Sequence, residues 1–219
     1  MSLQTIINSA QSIDITRQAL VATSMSRSGR LLTAGRNWGK PWKFVVSAQP
    51  VFIYNDVREM IETIMTKDRI EEHIISLGAS AGAAWTIQYM GELSTTNLNT
   101  GLTVNSESAG NLLRLDLNSA VQALAPSTVL FRAGDVIQPL GHRYPYVVTT
   151  NITRGTGTNV PIILNRGILP DTTALIGATI RAGVDCIWRV KVSKLPTIRL
   201  LPGKLVEFTS EFELIESII

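Results

Sequence analysis

From Asn111 onward the chain is written as short apolar runs cut apart by Gly, Pro, Asn and Asp. They read "NLLRLDLNS", "STVLF", "DVIQPL", "YPYVVTTNITR", "VPIILN", "ALIGATIRAG", "CIWRVKVSKL", "TIRLL" and "LVEFTSEFELIESI". Such runs are too brief for helices, and their apolar–polar alternation has the two-residue period of a strand with one buried face. Leu113, Leu115 and Leu117 stand opposite Arg114 and Asp116. In the last run, Val206, Phe208, Phe212 and Leu214 stand opposite Glu207, Thr209, Glu211 and Glu213, and this is the plainest strand in the chain. Strands so spaced, without helices between them, argue against a parallel α/β sheet. They predict a mainly β fold, a β-barrel or sandwich, with α+β as the fallback.

The first half is more mixed. "TIINSAQSIDITRQAL" combines β-branched and polar residues and reads as a β N-terminus. "SMSRSGRLLTAGRNWGKPW", dense in Ser, Gly and Arg, reads as a long loop or hairpin arm from Ser24 to Pro41. In "WKFVVSAQP", Trp42, Phe44 and Val46 alternate with Lys43, Val45 and Ser47, a strand closed by Pro50. Asn55 and Asp56 are good caps for one prominent α-helix at about 55–67, on which Val57, Met60, Ile61, Ile64 and Met65 form an apolar stripe. "RIEEHIISLG" and "AWTIQYMGEL" read as strands around the turn "GASAGAA", and "GLTVNS" as another. The Thr, Asn, Ser and Gly of residues 95–110 mark a soft boundary. It would divide an N-terminal β-rich part with the basic arm and helix (1–105) from a C-terminal barrel or sandwich part (106–219), or lie within a single domain.

Charged residues are 17% of the 219 positions and apolar ones 45%. That is too apolar for disorder and below the roughly 25% charge of an average globular chain, as in subunits that bury surface against one another. The net charge of +3 is unevenly spread. Residues 1–55 carry Arg17, Arg27, Arg30, Arg36, Lys40 and Lys43 against Asp14, while the stretch from Val206 carries Glu207, Glu211, Glu213 and Glu216 with no base. Opposite ends of opposite sign suit head-to-tail subunits at least as well as a phosphate backbone. Cys186 is the single cysteine, which excludes an intrachain disulfide and a cysteine-based zinc cluster. "MSLQTIINSAQSID" lacks the features of a signal peptide, and no run approaches the ~18 apolar residues of a membrane span. Asn151-Ile152-Thr153 matches a glycosylation sequon but reads as a strand passing through the pattern. A soluble protein made inside a cell is expected.

Chemical motifs are sparse. His73 and His142 have no ligand at metal-binding spacing, and no calcium loop follows Asp135. A Cys186–His142–Asp triad is open only because triads assemble in space. "RGTGTNV" lacks the Lys-Ser/Thr of a phosphate loop and reads as a hairpin turn between "VVTTNITR" and "VPIILN". Asp135, after Gly134, reads as a turn residue bonding its own backbone. The segment Leu130–Gly155 reads as a rigid hairpin of "DVIQPL" and "YVVTTNIT", with Pro139 and Pro145 placing it at a sheet edge or subunit border. Basic residues interleaved with Trp38 and Trp42 fit either nucleic acid or a neighbouring subunit, and the subunit is favoured.

The order of elements, "SRSGR", "WKFVV", "NDVREMIETI", "FRAGDVIQP…YPYVVT" and "WRVKVSKLPTIRLLPGKLVEFTSEFELIESI", resembles tail structural proteins of tailed bacteriophages, of the distal-tail or baseplate-hub ring type. The resemblance implies a non-enzymatic virion protein, localised in the tail and made in the host cytoplasm. It implies a homo-oligomeric ring, hexameric by preference, at the junction of tail tube and baseplate. Tube, tape-measure and baseplate proteins would be its partners, with no cofactor, metal, membrane or small-molecule ligand and nucleic acid only passing through a channel. Arg27, Arg30, Trp38 and Trp42 are the candidates for intersubunit contact. The alternatives are another virion position (tail tube, tail terminator or neck), a small nucleic-acid-binding β-barrel and, more distantly, a carbohydrate-active enzyme.

Overall fold

A computed structural model describes residues 3–17, 21–25, 31–35, 41–49, 51–66, 71–80, 82–107, 110–171 and 174–218. α1 (Leu3–Asn8) leads into β1 (Ser12–Arg17), β2 (Val21–Met25), β3 (Leu31–Gly35), β4 (Trp42–Ser47), β5 (Val51–Ile53) and α2 (Tyr54–Thr66). β6 (His73–Ser76) precedes a 3-10 turn at Ala84–Ile87, then α3 (Thr95–Thr100), β7 (Leu102–Glu107), β8 (Leu112–Leu117) and α4 (Ser119–Gln122). β9 (Val129–Phe131), β10 (Val136–Pro139), β11 (Tyr146–Val147), β12 (Ile152–Thr153), β13 (Asn159–Ile163) and β14 (Ile180–Ala182) come next. A second 3-10 turn, Gly183–Asp185, introduces β15 (Ile187–Lys194), β16 (Ile198–Leu201), β17 (Leu205–Phe208) and β18 (Phe212–Glu216). The fold is mainly β, and the prominent helix forms where its caps predict.

The largest sheet has the order β1-β4-β18-β15-β6. Its inner face takes the alternate residues that the sequence pattern picks out, Trp42, Phe44 and Val46 on β4 and Phe212 and Leu214 on β18. Trp188 of β15 meets Trp42 and Phe44 edge to face, with centroids 5.5 and 5.8 Å apart. Such aromatic contacts add to the area that each ring buries. Val57 of α2 is fully buried on this core and Ile61 packs against it; the side chains of Met60, Ile64 and Met65 lie outside the described residues.

Three expectations are corrected. The β-like N-terminus begins as a helix, because Leu3, Ile6, Ile7 and Ala10 recur at helical spacing and all four are buried. "AWTIQYMGEL" forms a 3-10 turn and an irregular segment instead of a strand. The plain terminal strand is two strands in two sheets, β17 between β16 and β5 and β18 inside the large sheet. Hydroxyl side chains make the break: Thr209 donates from N and Oγ1 to the Thr197 carbonyl, while Ser210 Oγ accepts from Thr197 N at 3.1 Å. Side-chain bonds of this kind compete with a ladder and end it.

The two edges of the large sheet differ. Along β6, the Gln4 amide takes up both backbone polar groups of one residue, donating to Ser76 O and accepting from Ser76 N, each at 2.7 Å. Among the described residues β1 pairs with β4 alone. β2 and β3 pair with each other, Val21 opposite Gly35 through Met25 opposite Leu31, and join no other sheet. The arm is thus a hairpin, as one of its two readings expects; residues 26–30 and 36–40 lie outside the described set.

A second core is nested within the first. The first draws on residues 3–87 and 186–214 with Val136 and Val147; the second draws on residues 93–182. The chain crosses over between Ile87 and Leu93 and returns between Ala182 and Cys186. Residues 95–110 hold α3 and β7, whose Leu98, Leu102 and Val104 belong to the second core.

Phe44→Ala is expected to lower the unfolding free energy by about 3–5 kcal/mol, through lost burial and the cavity left behind. Leu200→Ala, at a side chain 70% exposed, should change it by less than ~0.5 kcal/mol. Equilibrium urea unfolding measures both.

Candidate functional site

The two cores meet at a sealed polar cluster. Arg166, in the loop after β13, donates from Nη1 and Nη2 to the two carboxylate oxygens of Glu216 on β18, at 2.5 and 2.7 Å. Nη2 also donates to Pro145 O at 2.7 Å, and Glu216 Oε2 accepts from Trp42 N at 3.1 Å. The guanidinium lies 5.3 Å from the centroid of Tyr146 and 6.0 Å from that of Tyr144. His142 packs edge to face on Tyr144, accepts from Tyr144 N at Nδ1 and points Nε2 at Asp171 Oδ2, 3.9 Å away. Arg166, Glu216, His142 and both tyrosines are all buried. A buried charge needs such a set of partners, since isolated it would cost far more than its packing returns.

Two further ties cross the junction. The buried Gln138 amide of β10 pairs with the backbone of β15, donating to Ile187 O and accepting from Ile187 N. Arg143 grips Glu72, which Arg189 of β15 also approaches at 3.7 Å. Burial opposes ionisation of Glu72, yet the Ser217 hydroxyl and the two arginines hold its carboxyl below the usual range.

The residues singled out for chemistry are occupied by structure. Asp135 accepts from its own turn at Arg132 N (2.8 Å), as its motif predicts, and also from Met90 N (2.9 Å). Burial raises its carboxyl above the ordinary value against those two N–H donors. Burial likewise pushes the Cys186 thiol up; its sulfur meets Val136 O and Arg181 O, and His142 is bound within the cluster above. The two runs around the Gly-Thr-Gly stretch meet in an antiparallel bridge at Val148 and Leu164, but the stretch is no tight hairpin turn, because β12 and β13 beside it pair with β9 and β8. Arg154 pins it instead, donating to Gln122 O and Gly155 O. The hairpin of β10 and β11 forms, with β11 at the edge of the sheet β11-β10-β14 and β10 in its middle, and both strands are buried in the chain. Pro139 is tolerated because it closes the strand, and Leu140 N takes up the next bond to Thr179 O.

Of the contact candidates, Trp42 lies in the core at 2% exposure, capped by the Arg17 guanidinium 5.1 Å away, and has no surface to offer a neighbour. Arg27, Arg30 and Trp38 lie outside the described residues. Three of the four acids of the C-terminal stretch are ion-paired within their own chain. Glu207 pairs with Arg199 at 3.3 Å, Glu213 with Lys43 at 2.9 Å, Glu216 with Arg166, and Glu211 accepts from Ser47 Oγ.

The accessible concavity lies where the chain passes between the cores. A groove of about 640 Å³ is lined by Ser80, Trp85, Gln88, Tyr89, Leu98 and Asp185, among others. Trp85 is 73% exposed and its Nε1 is tied to Gly82 O at 3.0 Å, while Ser80 is buried and its Oγ has no hydrogen-bond partner among the described residues. Tyr89 donates to Leu130 O, and burial raises its phenol to about 12. Two glycines hold the walls together. A Cβ on Gly78 would stand 2.3 Å from Val184 O, and Gly183 adopts φ +63 with Tyr89 N where a Cβ would be. One wall carries a local signal that reading "GASAGAA" as a plain turn misses: Gly78-Ala79-Ser80-Ala81-Gly82 spells G-x-S-x-G around the buried Ser80, although among the described residues no base is hydrogen-bonded to its Oγ. The facing wall comes from about a hundred residues further on and has no such mark.

No protein-family model matches the chain, and no curated protein matches it in sequence. Among the described residues no helix is long and apolar enough to cross a membrane.

Removing one partner of the junction pair, by Arg166→Met or Glu216→Leu, should cost about 3–5 kcal/mol, because the other charge is left buried. The double variant should cost well below the sum, and urea unfolding of the three chains gives the coupling. Cys186 should resist iodoacetamide in the native chain at pH 8 and react promptly in urea. Its folded-state pKa is raised above the unfolded one, so its contribution to stability is full below the ordinary thiol value of about 8.5 and is lost as pH rises beyond it. Cys186→Ala should remove that part of the alkaline decline.

Proposed function

We propose that this chain is a non-enzymatic structural subunit of a phage tail, assembling as a ring at the junction of tail tube and baseplate. The observation that carries the reading is the β2–β3 hairpin, a basic arm that joins no other sheet, inserted directly after the β1 edge. Strands that leave a sheet edge unpaired invite a second chain to complete it. The sealed junction adds support, since it holds two cores as one rigid body fit to bear load. The proposed position within the tail follows the resemblance of the order of elements to distal-tail and baseplate-hub proteins.

Light scattering and negative-stain electron microscopy of the purified chain test this. Discrete rings whose mass is a multiple of 23.9 kDa are expected. A chain that stays monomeric at high concentration, alone and with tail-tube protein added, would sink the proposal.

A further inference from the structure

We infer that the groove beside Trp85 is the socket for the arginine-rich arm tip of a second copy of this chain. The inference rests on the ring reading above and names the surface that such a ring would use.

Placement comes first. The arm leaves the large sheet from β1 and returns at β4, one margin of the order β1-β4-β18-β15-β6. The groove is built beyond the other margin, from Gly78–Ser80 after β6 and Val184–Asp185 before β15. Four inter-strand spacings, roughly 19 Å, separate the two margins. Donor and socket on opposite sides make a head-to-tail contact, the kind that closes a ring or runs on as a filament.

Chemistry agrees. The positions joining β2 to β3 read "SRSGR", with Arg27 and Arg30 between small residues. A guanidinium stacks on an exposed indole face, lays its aliphatic stem on apolar surface and donates five N–H bonds in a plane. The groove offers each counterpart: the exposed Trp85 ring, a floor of Tyr89 and Leu98, and the exposed Asp185 carboxylate. No ion pair takes Asp185 among the described residues, although Arg181 lies near enough to share the adjoining hollow. In the lining, the buried Ser80 hydroxyl lacks a hydrogen-bond partner among the described residues. Buried polar groups are nearly always satisfied, so an unpaired one inside an open groove points to a polar ligand. The acidic C-terminal stretch, the rival acceptor, is already paired in its own chain.

The test uses two pairs of substitutions in the full chain, Trp85→Ala with Asp185→Asn, and Arg27→Ala with Arg30→Ala. Each pair should weaken self-association by roughly tenfold in sedimentation, with no further loss when the pairs are combined. Association indifferent to both pairs overturns the inference and leaves the ring reading standing. A peptide of residues 21–35, added to the Arg27→Ala/Arg30→Ala chain, should change fluorescence saturably and salt-sensitively, and the change should vanish in Trp85→Phe. If the wild-type chain proves monomeric, this second arm decides alone: binding at Trp85 keeps the socket while the ring reading falls, and no binding overturns the socket as well.

Discussion

Arg166 and Glu216 stand fifty positions apart and meet where water is excluded from both. Removing two charges from water is costly, and the cost is met here by a bidentate pair, the Pro145 carbonyl, the Trp42 amide and two tyrosine faces. The pair and its partners come from three parts of the molecule. Glu216 ends the central strand of the large sheet, Trp42 begins the strand beside it, and Arg166, Pro145 and Tyr146 belong to the nested unit. The pair therefore fixes β4, the last strand of the chain and the second core in one arrangement. Gln138, pressed against the backbone of Ile187, repeats that logic with a neutral group.

Periodic burial was legible where a strand has one wet face. Leu113, Leu115 and Leu117, and Trp42, Phe44 and Val46, point inward as their alternation demands. The helix at Tyr54–Thr66 was legible from its caps and stripe. Elsewhere local preference misled. The β-branched "TII" masked helical spacing at Leu3, Ile6 and Ile7, and the alternation from Val206 to Leu214 ran unbroken through a real break made by Thr209 and Ser210. The junction was illegible for another reason. Nothing near Arg166 in sequence names Glu216 as its partner, and an acid on an alternating strand looks solvated whether or not a cation waits opposite. The groove was half legible, since Gly78-Ala79-Ser80-Ala81-Gly82 is a recognisable pattern, but distance along the chain hid the Val184–Asp185 wall that faces it.

Charge along the sequence also proved a poor map of charge on the surface. Glu207, Glu213 and Glu216 each face a cation of their own chain, so three of the tail's four acids are balanced internally. The nested fold places β1, near one end of the chain, and β18, near the other, in one sheet, with the inserted unit held between them.

Fibres and crystals lengthen because each added unit regenerates the surface it joined. The Gln4 amide breaks that cycle for the large sheet. A strand laid along β1 would find no matching acceptor at β6, where a side chain already imitates the missing neighbour. Backbone pairing between copies would therefore meet an occupied residue at Ser76, where the ladder is already closed from within the chain.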